Sequence, residues 1–172
     1  MFINQQIIKF LFFLICFSIF SSIAQTNEEV PLNNMAINET PKPISSIIFE
    51  DLSGNEISLK HYLGKLIIIN FWTTWCAPCK KEMPSLDSLY QDNSFKNLQI
   101  FAVNMEQPNA LKTKKFFLDL NIKKLSIFFD SHLNFVKEFK LRGVPTTVLI
   151  NKKGEEFARI IGEVNFQDKK FL

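Results

Sequence analysis

The chain has 172 residues, enough for one domain of ordinary size and not two. Hydrophobic residues make up 47% and charged residues 22%, a globular composition that excludes a disordered or fibrous chain. Leaving out Lys9 of the N-terminal segment, 19 of the 20 Lys and Arg remain against 17 Asp and Glu, so there is no basic footprint for nucleic acid.

Residues 1–24 read as an export segment. Lys9 and the free amino terminus supply positive charge ahead of the apolar run Phe10 to Phe20, and Ser22-Ile23-Ala24 offers small residues before Gln25. Two outcomes fit these flanks: a signal peptide cleaved before Gln25, or an uncleaved anchor over 7–23 that tethers the domain to the inner membrane. Both export the domain, and the periplasm is its expected location. Residues 25–43 are polar and aperiodic, with Pro31, Pro41 and Pro43, and read as a linker; the folded domain is expected over 44–172.

Within that domain, Ile47-Ile48-Phe49 and Ile57 to Leu59 flank Ser53-Gly54-Asn55 and predict a small hairpin. Leu66 to Phe71 is a continuous apolar run suited to a strand buried on both faces. Met83, Leu86 and Tyr90 recur at helical spacing after Cys76, with Pro84 expected to bend the helix. Leu98 to Val103 predicts a second buried strand. Pro108 suits the first turn of a helix in which Ala110/Phe117 and Leu111/Leu118 stand one heptad apart. Ser126 to Phe129 predicts a short strand. His132, Phe135, Val136 and Phe139 then follow at i, i+3, i+4 and i+7, with His132 as a cap or surface residue. Thr146 to Ile150 and Phe157 to Ile161 form a hairpin across Lys152-Lys153-Gly154, and 165–172 leaves room for two helical turns. Alternating β and α units closed by a hairpin argue for an α/β fold with a mixed, mostly parallel sheet between helices.

The exported part holds two cysteines, Cys76 and Cys79. A structural disulfide gains most by closing a long loop, and this spacing closes almost none, so the pair suits exchange chemistry. In Trp75-Cys76-Ala77-Pro78-Cys79-Lys80, Cys76 stands at a helix start, where unpaired N–H groups and the helix dipole lower a thiol's pKa. Cys79, inside the first turn, can then resolve a mixed disulfide.

These residues resemble the thioredoxin superfamily, and within it the exported TlpA/ResA/CcmG-like thiol-disulfide oxidoreductases. The resemblance covers Ile44 to Gly162. It rests on Leu52-Ser53-Gly54, Gly64-Lys65, the run from Asn70 through Cys76-Ala77-Pro78-Cys79 to Pro84, and Gly143-Val144-Pro145-Thr146-Thr147. It implies a thioredoxin-like fold: a central mixed sheet flanked by helices, with an N-terminal hairpin and an α/β insertion. It implies a cis peptide bond before Pro145, with the Val144 backbone beside it open to an extended substrate. Cytoplasmic thioredoxins bury an aspartate six residues before the first cysteine, where this chain has Asn70; the TlpA-like branch has a helix glutamate, matched by Glu82. Burial would raise that carboxyl's pKa and suit it to take the Cys79 proton, whereas a solvent-facing Glu82 would only pair with a lysine.

The catalytic residues expected are therefore Cys76, Cys79 and Glu82, and the substrate-binding ones Trp75, Val144 and Pro145, with Trp75 shielding the sulfurs and Trp72 in the core. The implied activity is reduction of disulfides in exported proteins, such as apocytochrome c or copper-handling proteins, with electrons from a membrane thiol donor. No cofactor or metal is called for, and a monomer is expected. Two other functions use the same residues. A Cu(I) carrier would hold the ion between the two thiolates. A peroxiredoxin-like thiol peroxidase would use Thr73 and Cys76, but that family wants a proline where Ile69 stands. The lysines at 112, 114, 115, 123 and 124 read as a solvated face.

Overall fold

The computed structural model describes residues 33–44, 46–169 and 171. The expected export segment 1–24 and residues 25–32 of the expected linker lie outside them. Among the described residues, no helix is long and apolar enough to cross a membrane.

The remainder of that linker is not a linker. Met35–Pro43 forms strand β1, antiparallel to the last strand, with Met35 opposite Ile160 and Ile37 opposite Ala158 before a register shift ahead of Lys42. An edge strand needs ladder partners on one side only, which tolerates Pro41 and Pro43. Mainly main-chain pairing holds it, aided by Asn38 Nδ2 donating to the Glu156 carbonyl at 3.0 Å.

The other elements are β2 (Ile48–Asp51), β3 (Glu56–Ser58), a 3₁₀ turn (Leu59–Tyr62), β4 (Leu66–Trp72), α1 (Ala77–Gln91), β5 (Leu98–Asn104), α2 (Ala110–Asp119), β6 (Ile127–Phe129), α3 (Asn134–Phe139), β7 (Thr146–Ile150) and β8 (Glu155–Ile161). They build a sheet in the order β1-β8-β7-β4-β5-β6-β2-β3. The sheet is mixed, as expected, but it is not mostly parallel: only β4–β5 and β5–β6 run parallel. Tight turns join β2 to β3 and β7 to β8, and such connections permit only antiparallel pairing. In the second turn Gly154 has φ +82°, and a Cβ there would meet Leu63 Cδ2 at 2.7 Å.

Strand β4 sorts the core by the two-residue period of a strand. Ile67, Ile69 and Phe71 join Phe101, Phe135 and Phe139 on one face. Ile68 and Trp72 join Cys79, Met83, Leu86 and Phe116 on the other, where Trp72 stacks on Phe116 at 4.6 Å. Asn70, between Ile68 and Trp72, must share their face, which is the face that α1 covers.

Several boundaries differ from expectation. Helix α1 continues through Pro84 despite the missing N–H. Asn109 caps α2 by accepting from Lys112 N, so Pro108 precedes the cap and is outside the first turn. Helix α2 buries Thr113, Phe116 and Phe117, leaving Leu111 and Leu118 exposed. Asp130 accepts the N–H groups of Asn134, Phe135 and Val136 at the start of α3, a capping task that His132 does not perform. The residues after Asn165 form turns with no helix among those described, anchored by buried Phe166.

Candidate active site

Cys76 is the N-cap of α1, and its sulfur accepts from Cys79 N at 3.2 Å. Its main-chain carbonyl accepts from Lys80 N, which closes the first turn. Pro78 sits in that turn, where a missing N–H costs no helical bond. Cys76 and Cys79 form a disulfide with their Cα atoms 5.3 Å apart. Cys76 is less open than a helix start suggests, at 4% exposure, because it packs in the core cluster of α1; Cys79 is more enclosed still, at 0%.

The peptide bond Val144–Pro145 is cis. Val144 packs against both core clusters, one of which contains Cys76 and Cys79. The neighbouring backbone is pinned: Thr146 Oγ1 donates to the Gly143 carbonyl at 2.8 Å, and Gly162 N donates to the Pro145 carbonyl at 3.0 Å. Val144 itself makes no main-chain hydrogen bond among the described residues. Trp75, next to Cys76 in the chain, is largely exposed, at 71%.

Glu82 follows Cys79 by three residues, so both lie on one side of α1. Its carboxyl is buried, not solvent-facing. Asn70 Nδ2 donates to Oε1 at 2.7 Å, and Val164 N donates to Oε2 at 3.1 Å. Asn70 also donates to Thr147 Oγ1 at 3.0 Å, its partner in the β4–β7 register. Burial is the largest influence on Glu82 and pushes its pKa up to about 7, with Glu163 adding to the rise and the two hydrogen bonds opposing it. An open groove of about 510 Å³ between α1 and the segment Glu163 to Gln167 includes Glu82 in its wall.

Sequence reasoning missed Glu106. This residue follows β5, and its carboxylate accepts Thr74 N at 2.6 Å and Thr74 Oγ1 at 3.1 Å while Lys112 Nζ donates to it at 2.6 Å. Partial burial raises its pKa, but the bonds from Lys112 and Thr74 outweigh that and hold it below the usual range. Glu106 thereby fixes the loop that carries Trp75 and Cys76. No local pattern marks it, because its partners lie 32 residues back and six ahead. Asp87 was missed for the same reason: it accepts Lys124 N at 2.8 Å, Leu125 N at 2.9 Å and Lys123 N at 3.1 Å.

His132 is exposed, with Nε2 at 3.7 Å from Glu50 Oε1, and takes no part in the site. Of the lysine cluster, Lys112 pairs with Glu106 and Lys115 with Asp119.

A sequence model of the AhpC/TSA family matches residues 40–155. The thiol-disulfide oxidoreductase ResA of Halalkalibacterium halodurans is 37% identical over 64% of this chain and 61% of its own length. That of Bacillus cereus is 33% identical over 71% of this chain and 69% of its own. Among solved structures, StoA from Bacillus subtilis superposes with a TM-score of 0.63 at 29% identity, covering 76% of this chain and 97% of that one. A thiol:disulfide interchange protein DsbE from Chlorobium tepidum, at 19% identity and a TM-score of 0.65, shares the fold. The chain belongs to the AhpC/TSA family, among the thiol-disulfide oxidoreductases that resemble ResA.

Proposed function

We propose that this protein is an exported reductant of disulfides in other envelope proteins. The observation that carries the reading is the Cys76–Cys79 pair at the start of α1, in a core cluster against which Val144 of the cis-proline loop also packs.

With the pair reduced, the Cys76 thiolate attacks one sulfur of a client disulfide, forms a mixed disulfide and releases the client's other sulfur as a thiolate. The N–H groups at the helix start favour the Cys76 anion before attack. An extended client segment pairs with the unoccupied main chain of Val144, which aligns its sulfur. Cys79 then loses its proton to Glu82, whose pKa of about 7 suits transfer in either direction near neutral pH. The Cys79 thiolate attacks the Cys76 sulfur, which frees the reduced client and restores the disulfide seen here. Apocytochrome c and copper-handling proteins are the proposed clients, and a membrane thiol protein supplies two electrons per cycle.

Ala77 and Pro78, between the cysteines, add no charge that would stabilise the thiolate further. That favours a potential at the reducing end of the range, where 30 mV corresponds to about 1.4 kcal/mol. Acid quenching of growing cells followed by thiol alkylation reads the state directly. A predominantly reduced pair is expected. A predominantly oxidised pair, with fast oxidation of reduced peptides by the pure protein, reverses the direction of the proposal.

A further inference from the structure

Beside the cis-proline loop lies a second groove, of about 540 Å³, whose walls include Gly143 and Thr146. The remaining walls come from β1, the end of α3 with the turn after it, and strand β8. Lys140 shapes that turn with φ +49° as it caps α3.

Four cations face this groove: Lys42, Lys140, Arg142 and Arg159. Arg159 is occupied, because Nε and Nη2 donate to Glu156 at 2.8 and 3.0 Å and Nη1 donates to the Phe139 carbonyl at 2.7 Å. Lys42, Lys140 and Arg142 are exposed, and their side chains form no hydrogen bond or ion pair among the described residues. The carboxylates on the walls are Glu138 and Glu156, so positive charge exceeds negative by two. Ile161, 65% exposed, adds an apolar spot.

We propose that this groove is a docking subsite for an acidic stretch of the client polypeptide close to the disulfide being reduced. The proposal rests on the reductase reading above and adds a substrate class to it. An extended chain paired at Val144 advances about 3.3 Å per residue, so residues near the reacting cysteine pass from Val144 directly over Gly143 and into the groove. There, Asp or Glu side chains meet Lys140, Arg142 and Lys42 and release no partner among the described residues. Alternation along the strand leaves the next side chain to cover Ile161. Opposite charges at such a rim act on encounter and on partner choice, and salt weakens them.

The test uses the reduced protein and three disulfide-bonded peptides that differ only in the flank of the cystine: Asp-Glu-Asp, Ser-Gln-Ser or Lys-Lys-Lys. At low salt, kcat/KM for the acidic flank is expected to exceed that for the basic flank by roughly 10-fold, and the gap to close in about 0.5 M salt. The double variant Lys140→Glu/Arg142→Glu should remove or invert the preference, read as the ratio of kcat/KM for the acidic and basic flanks. Lys123→Glu/Lys124→Glu makes the same change in net charge elsewhere and should leave the preference intact. Equal kcat/KM for acidic and basic flanks, or an equal loss in both double variants, overturns the subsite. Fluorescence anisotropy with a cysteine-free acidic peptide separates this from a failure of the reductase reading. If no peptide is reduced, binding that Lys140→Glu/Arg142→Glu abolishes still supports the groove, and absence of binding refutes it.

Discussion

Asn70 and Glu82 meet across the interface of β4 and α1, with Asn70 Nδ2 donating to Glu82 Oε1 at 2.7 Å. Asn70 holds the place where cytoplasmic thioredoxins bury an aspartate, and here the acid approaches from the helix instead. A neutral amide at Asn70 orients the carboxyl without repelling its charged form. Two buried carboxylates at this distance would force one of them to remain protonated.

Glu82 should make both rate and stability depend on pH. Its pKa rises from 4.5 to about 7 on folding. The native state therefore keeps a proton that the unfolded chain has released, and the resulting stability is full below pH 4.5 and is lost as pH rises through 7. A shift of that size corresponds to about 3 kcal/mol between the two limits. Glu82→Gln should flatten this dependence. At pH 5 it should be about 1 kcal/mol less stable than the wild type, since its amide has one acceptor oxygen for the two donors Asn70 Nδ2 and Val164 N, and at pH 8 it should be the more stable of the two. Urea denaturation at both pH values measures this, and stopped-flow exchange should lose its inflection near pH 7. An unaltered pH–rate profile returns Glu82 to a structural role.

Cys76 should be the attacking thiol and Cys79 the resolving one. Cys76 caps the helix at 4% exposure, whereas Cys79 is fully enclosed. Cys79→Ser should accumulate mixed disulfides with clients, visible on non-reducing gels, and Cys76→Ser should accumulate none. The opposite pattern would falsify the assignment.

Glu106 should position the loop before Cys76. Glu106→Ala removes the acceptor of Thr74 N and Thr74 Oγ1, and misplacement of the attacking sulfur should slow disulfide reduction roughly 10-fold. Glu106→Gln retains an acceptor for Thr74 N and should recover most of the rate. If the alanine variant matches the wild type in kcat/KM, the loop needs no such anchor.

Asp87 should matter for stability alone. It accepts three main-chain N–H groups of the segment after α2, and Asp87→Ala leaves those donors short of partners at a cost of roughly 3 kcal/mol. Chemical denaturation should show the loss, and the rate per folded molecule should be unchanged. A large rate effect in folded protein would tie this turn to the site.

The elements whose signals are local were legible in the amino-acid order alone. The apolar run of β4, the helix opened by Cys76, the hairpin closed by Lys152-Lys153-Gly154 and the two motifs of the site are all written within a few residues of one another. Periodicity, capping and turn chemistry act at that range. The resemblance carried by those motifs then extended to Glu82 and Pro145. Chain folding was needed to reveal which face of β4 holds Asn70 against Glu82, that Glu106 ties down Thr74, and that Asp87 holds the turn at Lys124. These partners stand 12, 32 and 37 residues apart. It also decided that Met35–Pro43 is a strand, and where Lys42, Lys140 and Arg142 converge. An edge strand held by main-chain bonds needs no apolar period in its side chains, and a charge placed by chain crossing leaves no spacing to read, so both emerge only once the sheet has set its order.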